Sequence, residues 1–102
     1  MQTISVEQLK TRLDAGESIH LLDVREPNEH ESFDIGGVLL PLGKIQRMET
    51  DAVDDWKGEE VICYCRSGNR SGQACLILET VGFSNVKNLA GGMNAWQDRF
   101  GG

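Results

Sequence analysis

An α/β domain, with a parallel sheet of about four or five strands and helices on both faces, is predicted by three features of this 102-residue sequence. Short apolar runs alternate with stretches whose apolar residues recur at helical spacing, the order expected of strand-helix-strand units and a parallel sheet. The strand-like runs are apolar nearly throughout, as strands covered on both faces are. A polar loop at residues 65–70 separates the clearest strand from the clearest helix, and open α/β sheets carry their sites at such strand ends. With 39% hydrophobic and 25% charged residues, the chain reads as one globular domain over residues 1–102.

Taken in order, Thr3 and Ile4 read as a short edge strand. Ser5 with Gln8 makes a capping box, and Val6, Leu9 and Leu13 followed by Gly16 describe an amphipathic helix. Residues 19–24 form a mostly apolar strand whose carboxyl end carries Asp23 and Arg25. Residues 26–31 are too polar for a core and read as a helical turn opened by Pro27. Phe33 and Ile35 return to the core, and residues 38–40 make a strand stopped at Pro41. Between 42 and 57, Ile45, Met48, Val53 and Trp56 alternate with charge, predicting one or two short helices parted near Glu49 and Thr50. Residues 61–64 are a buried strand. Residues 71–81 are a helix with Ala74, Cys75, Leu78 and Val81 on one stripe and Gly82 at its C-cap. Residues 85–89 give a last strand, and a closing helix at 93–99 is anchored by Trp96 and Phe100. Gly101 and Gly102 read as a frayed terminus.

The loop Cys65-Arg66-Ser67-Gly68-Asn69-Arg70 carries the chemistry. A tight turn entering a helix aims backbone N–H groups at one point, where the helix dipole adds about half a positive charge. A cysteine there has its thiolate stabilised and its pKa drawn below the free value of about 8.5. Arg66 and Arg70 add positive charge, and Gly68 supplies the tolerance of positive φ that a loop curling round an anion needs. Asp23 and Cys65, each at a strand's carboxyl end, are expected on one rim of the sheet.

The bulk properties exclude several classes. A net charge of −6 and a pI near 4.8 argue against nucleic acid, which demands a basic face. No apolar run approaches the roughly 18 residues of a membrane span, and the first residues do not open a signal peptide, so the expected location is cytoplasmic. The cysteines, three in number, read as reduced thiols. Cys63 and Cys65 are too close for Cys-x-x-Cys, and His20 and His30 lie far from them, so a metal is not expected, and a thiol activated by loop amides calls for no other cofactor. Cys63 and Cys75 read as packing residues, with a resolving role for Cys63 toward Cys65 as the alternative. His30 reads as a surface residue without a partner in these motifs.

The loop resembles the active-site loop of the rhodanese family, Cys-Arg-x-Gly-x-Arg. Asp23-Val24-Arg25-Glu26 is similar to that family's strand-end Asp-Val-Arg signature, and Gly91-Gly92-Met93-Asn94-Ala95-Trp96 to its Gly-Gly-x-x-Ala-Trp. The resemblance spans residues 3 to 98 or so and implies a thiosulfate sulfurtransferase. Its cysteine, here Cys65, takes a sulfane sulfur from a small anionic donor such as thiosulfate, holds it as a persulfide, and passes it to cyanide or a thiol. A thioredoxin-like or sulfur-relay protein is the implied partner. Asp23 and Arg25 then brace the loop, Arg70 forms a salt bridge, and Arg66 faces the mouth and selects anionic donors. Ser67 meets the sulfur through its hydroxyl or its N–H, and both remain open. Where many members have Gly-His-Ile-Pro-Gly-Ala, this chain has Phe33-Asp34-Ile35-Gly36-Gly37-Val38, so the rim there is expected to differ. The rivals are a cysteine phosphatase or arsenate reductase, whose loops place five residues between Cys and Arg instead of the four here, and a non-catalytic interaction module.

Overall fold

Five strands and five helices alternate along the computed structural model, which describes residues 1–101; the frayed-terminus reading of Gly102 lies outside the described residues. They are β1 (Gln2–Ile4), α1 (Val6–Asp14), β2 (His20–Asp23), α2 (Pro27–Ser32), β3 (Val38–Leu39), α3 (Leu42–Gln46), β4 (Glu60–Tyr64), α4 (Asn69–Thr80), β5 (Asn85–Leu89) and α5 (Gly92–Phe100). A 3-10 turn, Asp51–Trp56, lies between α3 and β4. The strands form one sheet in the order β1-β5-β4-β2-β3, every pair parallel.

Alternation along β4 divides the core. Val61, Cys63 and Cys65 face one side, where Ala74, Cys75 and Leu78 of α4, Ile45 of α3 and Val53 of the 3-10 turn cover them. Ile62 and Tyr64 face the other, against Val6 and Leu9 of α1 and Met93 and Trp96 of α5. Helices therefore cover both faces, as the apolar strands require. The capping box of Ser5 and Gln8 forms as expected, each side chain bonding the other's N–H, at 3.1 and 2.9 Å. Phe100 is more exposed than an anchor needs and contributes by an edge contact onto the Trp96 ring. Phe33 and Ile35 are only partly buried, packed at the margin of the core. Among the described residues no helix is long and apolar enough to cross a membrane.

The rim departs from the expected pattern for a local reason. Gly36 has φ +95, which proline cannot adopt, so the turn this chain makes here could not carry a proline at that position. Asp34 closes that turn by accepting from the Gly36 N–H at 2.6 Å. Gly37 holds its place against Tyr64: a Cβ there would stand 2.5 Å from the phenol oxygen, which accepts from the Gly37 N–H at 3.1 Å.

Candidate active site

Cys65 follows the last residue of β4, and the loop turns at Gly68, the N-cap of α4, at φ +103. Helix α4 starts at Asn69, earlier than residue 71, because this left-handed glycine caps it without any apolar signal. The turn brings the Gly68 N–H to 3.1 Å and the Ser71 N–H to 3.4 Å from Cys65 Sγ, while Ser71 Oγ lies 3.3 Å away. Cys65 is fully buried. Burial pushes its thiol up, but hydrogen bonds from the Ser71 hydroxyl and from the N–H groups of Ser71, Gly68 and Ser67 outweigh it and hold the thiol below its ordinary range. The Ser67 side chain is exposed, and the hydroxyl at the sulfur is that of Ser71.

The three arginines are in different states. Arg70 grips Glu29 of α2 through both guanidinium ends, at 2.7 and 2.9 Å, and this pairing holds the Glu29 carboxyl at about 2 despite partial burial. Arg25 is buried and forks onto Asp23 at 2.9 and 2.7 Å, with a further bond to the Phe33 carbonyl. Arg66 is exposed, has no ion pair or side-chain hydrogen bond among the described residues, and borders a cleft of about 210 Å³ with Arg25, Asn28, Ser32, Asn94 and Gln97. Asn69 is exposed.

Parallel register sets Asp23 beside Tyr64, one residue before Cys65, so the expected shared rim is present. Asp23 is wholly buried and also bonds His30 Nδ1 at 2.8 Å. This corrects the reading of His30 as an unpartnered surface residue: α2 folds back over the end of β2 and hands the ring to a buried carboxylate. The start of α5 pins the loop from the other side, with the Met93 and Asn94 N–H groups donating to the Cys65 and Arg66 carbonyls, each at 2.9 Å.

Two residues that sequence reasoning missed complete the site. Ser71 is polar yet occupies the stripe of Ala74, Cys75 and Leu78, and Asn88 interrupts the apolar pattern of β5 between Val86 and Leu89. A polar residue on an apolar stripe is the signal that marks each of them. Asn88 donates from Nδ2 to the Gly68 carbonyl at 3.0 Å and accepts from Ser71 Oγ at 2.5 Å. Cys63 and Cys75 are buried free thiols, and Cys63 is pushed up by its contact with Cys75 and by burial, which leaves it a poor nucleophile. Among the described residues no three His, Cys, Asp or Glu side chains are grouped to hold a metal.

A Cys-led turn whose N–H groups converge on sulfur can hold a thiolate or a persulfide anion. Residues 5–99 match the model of the rhodanese-like domain. The chain is 36% identical over 94 residues to YrkF of Bacillus subtilis, a protein named for sulfur carriage; the match takes in 91% of this chain and spans about half of that protein, 49%. It is 37% identical over 73 residues to the thiosulfate sulfurtransferase PspE of Escherichia coli, covering 71% of this chain and 69% of the relative. The crystal structure of a rhodanese-like domain protein from Staphylococcus aureus superposes with a TM-score of 0.80 at 28% identity, over 94% of this chain and 91% of the other. With fold, loop and whole-length match in agreement, the chain belongs to the rhodanese family and to its sulfur-transfer chemistry.

Proposed function

We propose that this domain is a thiosulfate sulfurtransferase that works by double displacement through a persulfide on Cys65. The observation carrying this reading is the convergence on one sulfur of the Gly68 N–H, the Ser71 N–H and the Ser71 hydroxyl, within 3.1 to 3.4 Å. In the first half-reaction the Cys65 thiolate attacks the outer sulfur of thiosulfate. The thiosulfate S–S bond breaks, sulfite leaves with its electron pair, and a persulfide anion remains in the loop. Cyanide or a thiol then attacks the outer sulfur and regenerates the thiolate. Arg66 meets the incoming anion, and the N–H groups of Ser67, Gly68 and Ser71 hold the charge. Asp23, Arg25 and Arg70 keep the loop in shape through their ion pairs. Cys65 is fully buried in the resting chain, so access of a donor to its sulfur requires the loop, whose Arg66, Ser67 and Asn69 are exposed, to move.

Free cysteines suit a reducing, cytoplasmic setting, where a thioredoxin-like or sulfur-relay protein serves as acceptor. Resemblance to a protein named for sulfur carriage supports that partner class. The test is steady-state turnover of thiosulfate with cyanide and with a dithiol, beside Cys65→Ser. Ping-pong kinetics, one added sulfur atom on Cys65 by mass spectrometry, and loss of both in the variant are expected. Hydrolysis of an aryl phosphate without thiosulfate turnover would assign the loop to phosphoryl chemistry. A Cys65 that alkylates no faster than Cys63 or Cys75, with no turnover, would mark an interaction module.

A further inference from the structure

Ser71 Oγ stands 3.3 Å from Cys65 Sγ and 2.5 Å from Asn88 Oδ1. A hydroxyl has one proton to donate, so it serves one of these acceptors at a time. The orientation of Asn88 is fixed by its other end: Nδ2 lies 3.0 Å from the Gly68 carbonyl, which can only accept, so the amide oxygen faces Ser71. Cys65 and Ser71 are wholly buried and Asn88 is 9% exposed. At that depth an acceptor deprived of its donor is costly.

With Cys65 as a thiol, S–H donates to Ser71 Oγ, Ser71 donates to Asn88, and each group has a partner. With Sγ anionic, the hydroxyl turns to the sulfur and Asn88 Oδ1 loses its donor. When charge moves to an outer sulfur, Sγ becomes a neutral, weak acceptor and the proton returns to Asn88. We propose that Asn88 is a positioning residue for sulfur transfer: by competing for the Ser71 proton, its side-chain oxygen disfavours charge on Cys65 Sγ and favours charge on the outer sulfur. The inference rests on Cys65 being the sulfur-carrying nucleophile. In the transfer step itself the Sγ–S bond forms as the thiosulfate S–S bond breaks and sulfite departs with the electron pair; Ser71 rotates and loses no proton. Arg70 of α4 and the Cys63 thiol of β4 also couple electrostatically to Cys65. Neither hydrogen-bonds Ser71 or Asn88 among the described residues, so the exchange is confined to three side chains.

The test is the titration of Cys65 in the folded chain, read from the pH dependence of its alkylation by iodoacetamide, with the modified cysteine identified by mass spectrometry. It is run on the unaltered chain, Asn88→Ala, Ser71→Ala and the double variant. Asn88→Ala also removes the brace on Gly68, but that loss acts in both backgrounds and cancels in the cycle. When Ser71 is present, Asn88→Ala is expected to raise the thiolate fraction about tenfold relative to its effect when Ser71 has been replaced, the size of one pH unit. Equal effects in the two backgrounds would overturn the proposal. Should Asn88→Ala fail to fold, Asn88→Asp carries the same cycle with opposite sign: its carboxylate holds the Ser71 proton harder, so the thiolate fraction falls further with Ser71 than without it. An equal fall in both backgrounds is again the overturning result. The titration needs no sulfur donor, so an absence of thiosulfate turnover would count against the proposed function and leave the Asn88 result to stand or fall separately.

Discussion

Arg66 differs from its neighbours in holding no ion pair or side-chain hydrogen bond among the described residues. Arg25 is committed to Asp23 and the Phe33 carbonyl, and Arg70 to Glu29. Arg66 lines the cleft, its guanidinium without a partner among the described residues. A charge-assisted hydrogen bond is worth about 1.5–3 kcal/mol, and solvent at the mouth reduces that toward the lower end. Arg66→Ala is therefore expected to raise the KM for thiosulfate roughly tenfold while leaving an uncharged persulfide donor nearly unaffected; equal losses with both donors would remove Arg66 from donor selection. Arg66, Gly68 and Cys65 were legible from the sequence because one turn of chain contains all three and a glycine next to a helix start has a local meaning. Asn88, His30 and the hydroxyl of Ser71 were not, because their partners are set by which strands neighbour β4 and by how α2 folds back. No local pattern encodes either.

At the scale of elements, the site is a joint between β4, α4 and α5, and Gly92 is its tightest point. A Cβ on Gly92 would stand 2.4 Å from the Cys65 carbonyl oxygen and 2.8 Å from the Arg66 carbonyl group, all main-chain atoms that no rotamer change can move aside. Its φ of +54 adds strain for any side chain. Gly92→Ala is expected to cost about 1–3 kcal/mol and to lower turnover further, because α5 or the loop must retreat and the Met93 and Asn94 N–H groups lose their carbonyls. Gly58→Ala, with open space around it and no positive φ, is the control; urea unfolding and turnover on both variants decide the matter. The sequence showed that a glycine pair preceded the last helix, but not that the second glycine is pressed against the cysteine loop. Elements with a strong period or cap, such as α1, β4 and β5, were readable almost to the residue. The two-residue β3 falls within the expected 38–40, and the expected parting near Glu49 and Thr50 separates α3 from the segment 51–56; that this second piece winds as a 3-10 turn was not legible in its own pattern.

Across the whole molecule, ion pairs fasten both ends of the sheet. At the amino end of β4, Glu60 takes Arg12 of α1 and Lys87 of β5, binding a helix and two strands. At the carboxyl end, Glu29 takes Arg70. Hydrogen bonds from Arg12 and Lys87 in one case, and from Arg70 in the other, hold each carboxyl down at about 2, with partial burial opposing, against an ordinary value of 4.5. A carboxyl depressed on folding stabilises the native state fully above its unfolded pKa, and that stabilisation is lost as pH falls toward the folded value. Both contributions are thus present at neutral pH and disappear between about pH 4.5 and about pH 2. Water reaches both pairs, so screening limits each to roughly 1 kcal/mol. Glu60→Gln and Glu29→Gln should each lower stability at pH 7 by about that amount and flatten the acid limb of a urea-unfolding series. They differ in function: Glu60 lies at the far end of β4 from Cys65, so its variant keeps neutral-pH turnover, whereas Glu29→Gln frees Arg70, loosens the loop and lowers it. If both variants turned over sulfur equally well, the clasp between α2 and the loop would be an ordinary surface contact with no bearing on the cysteine.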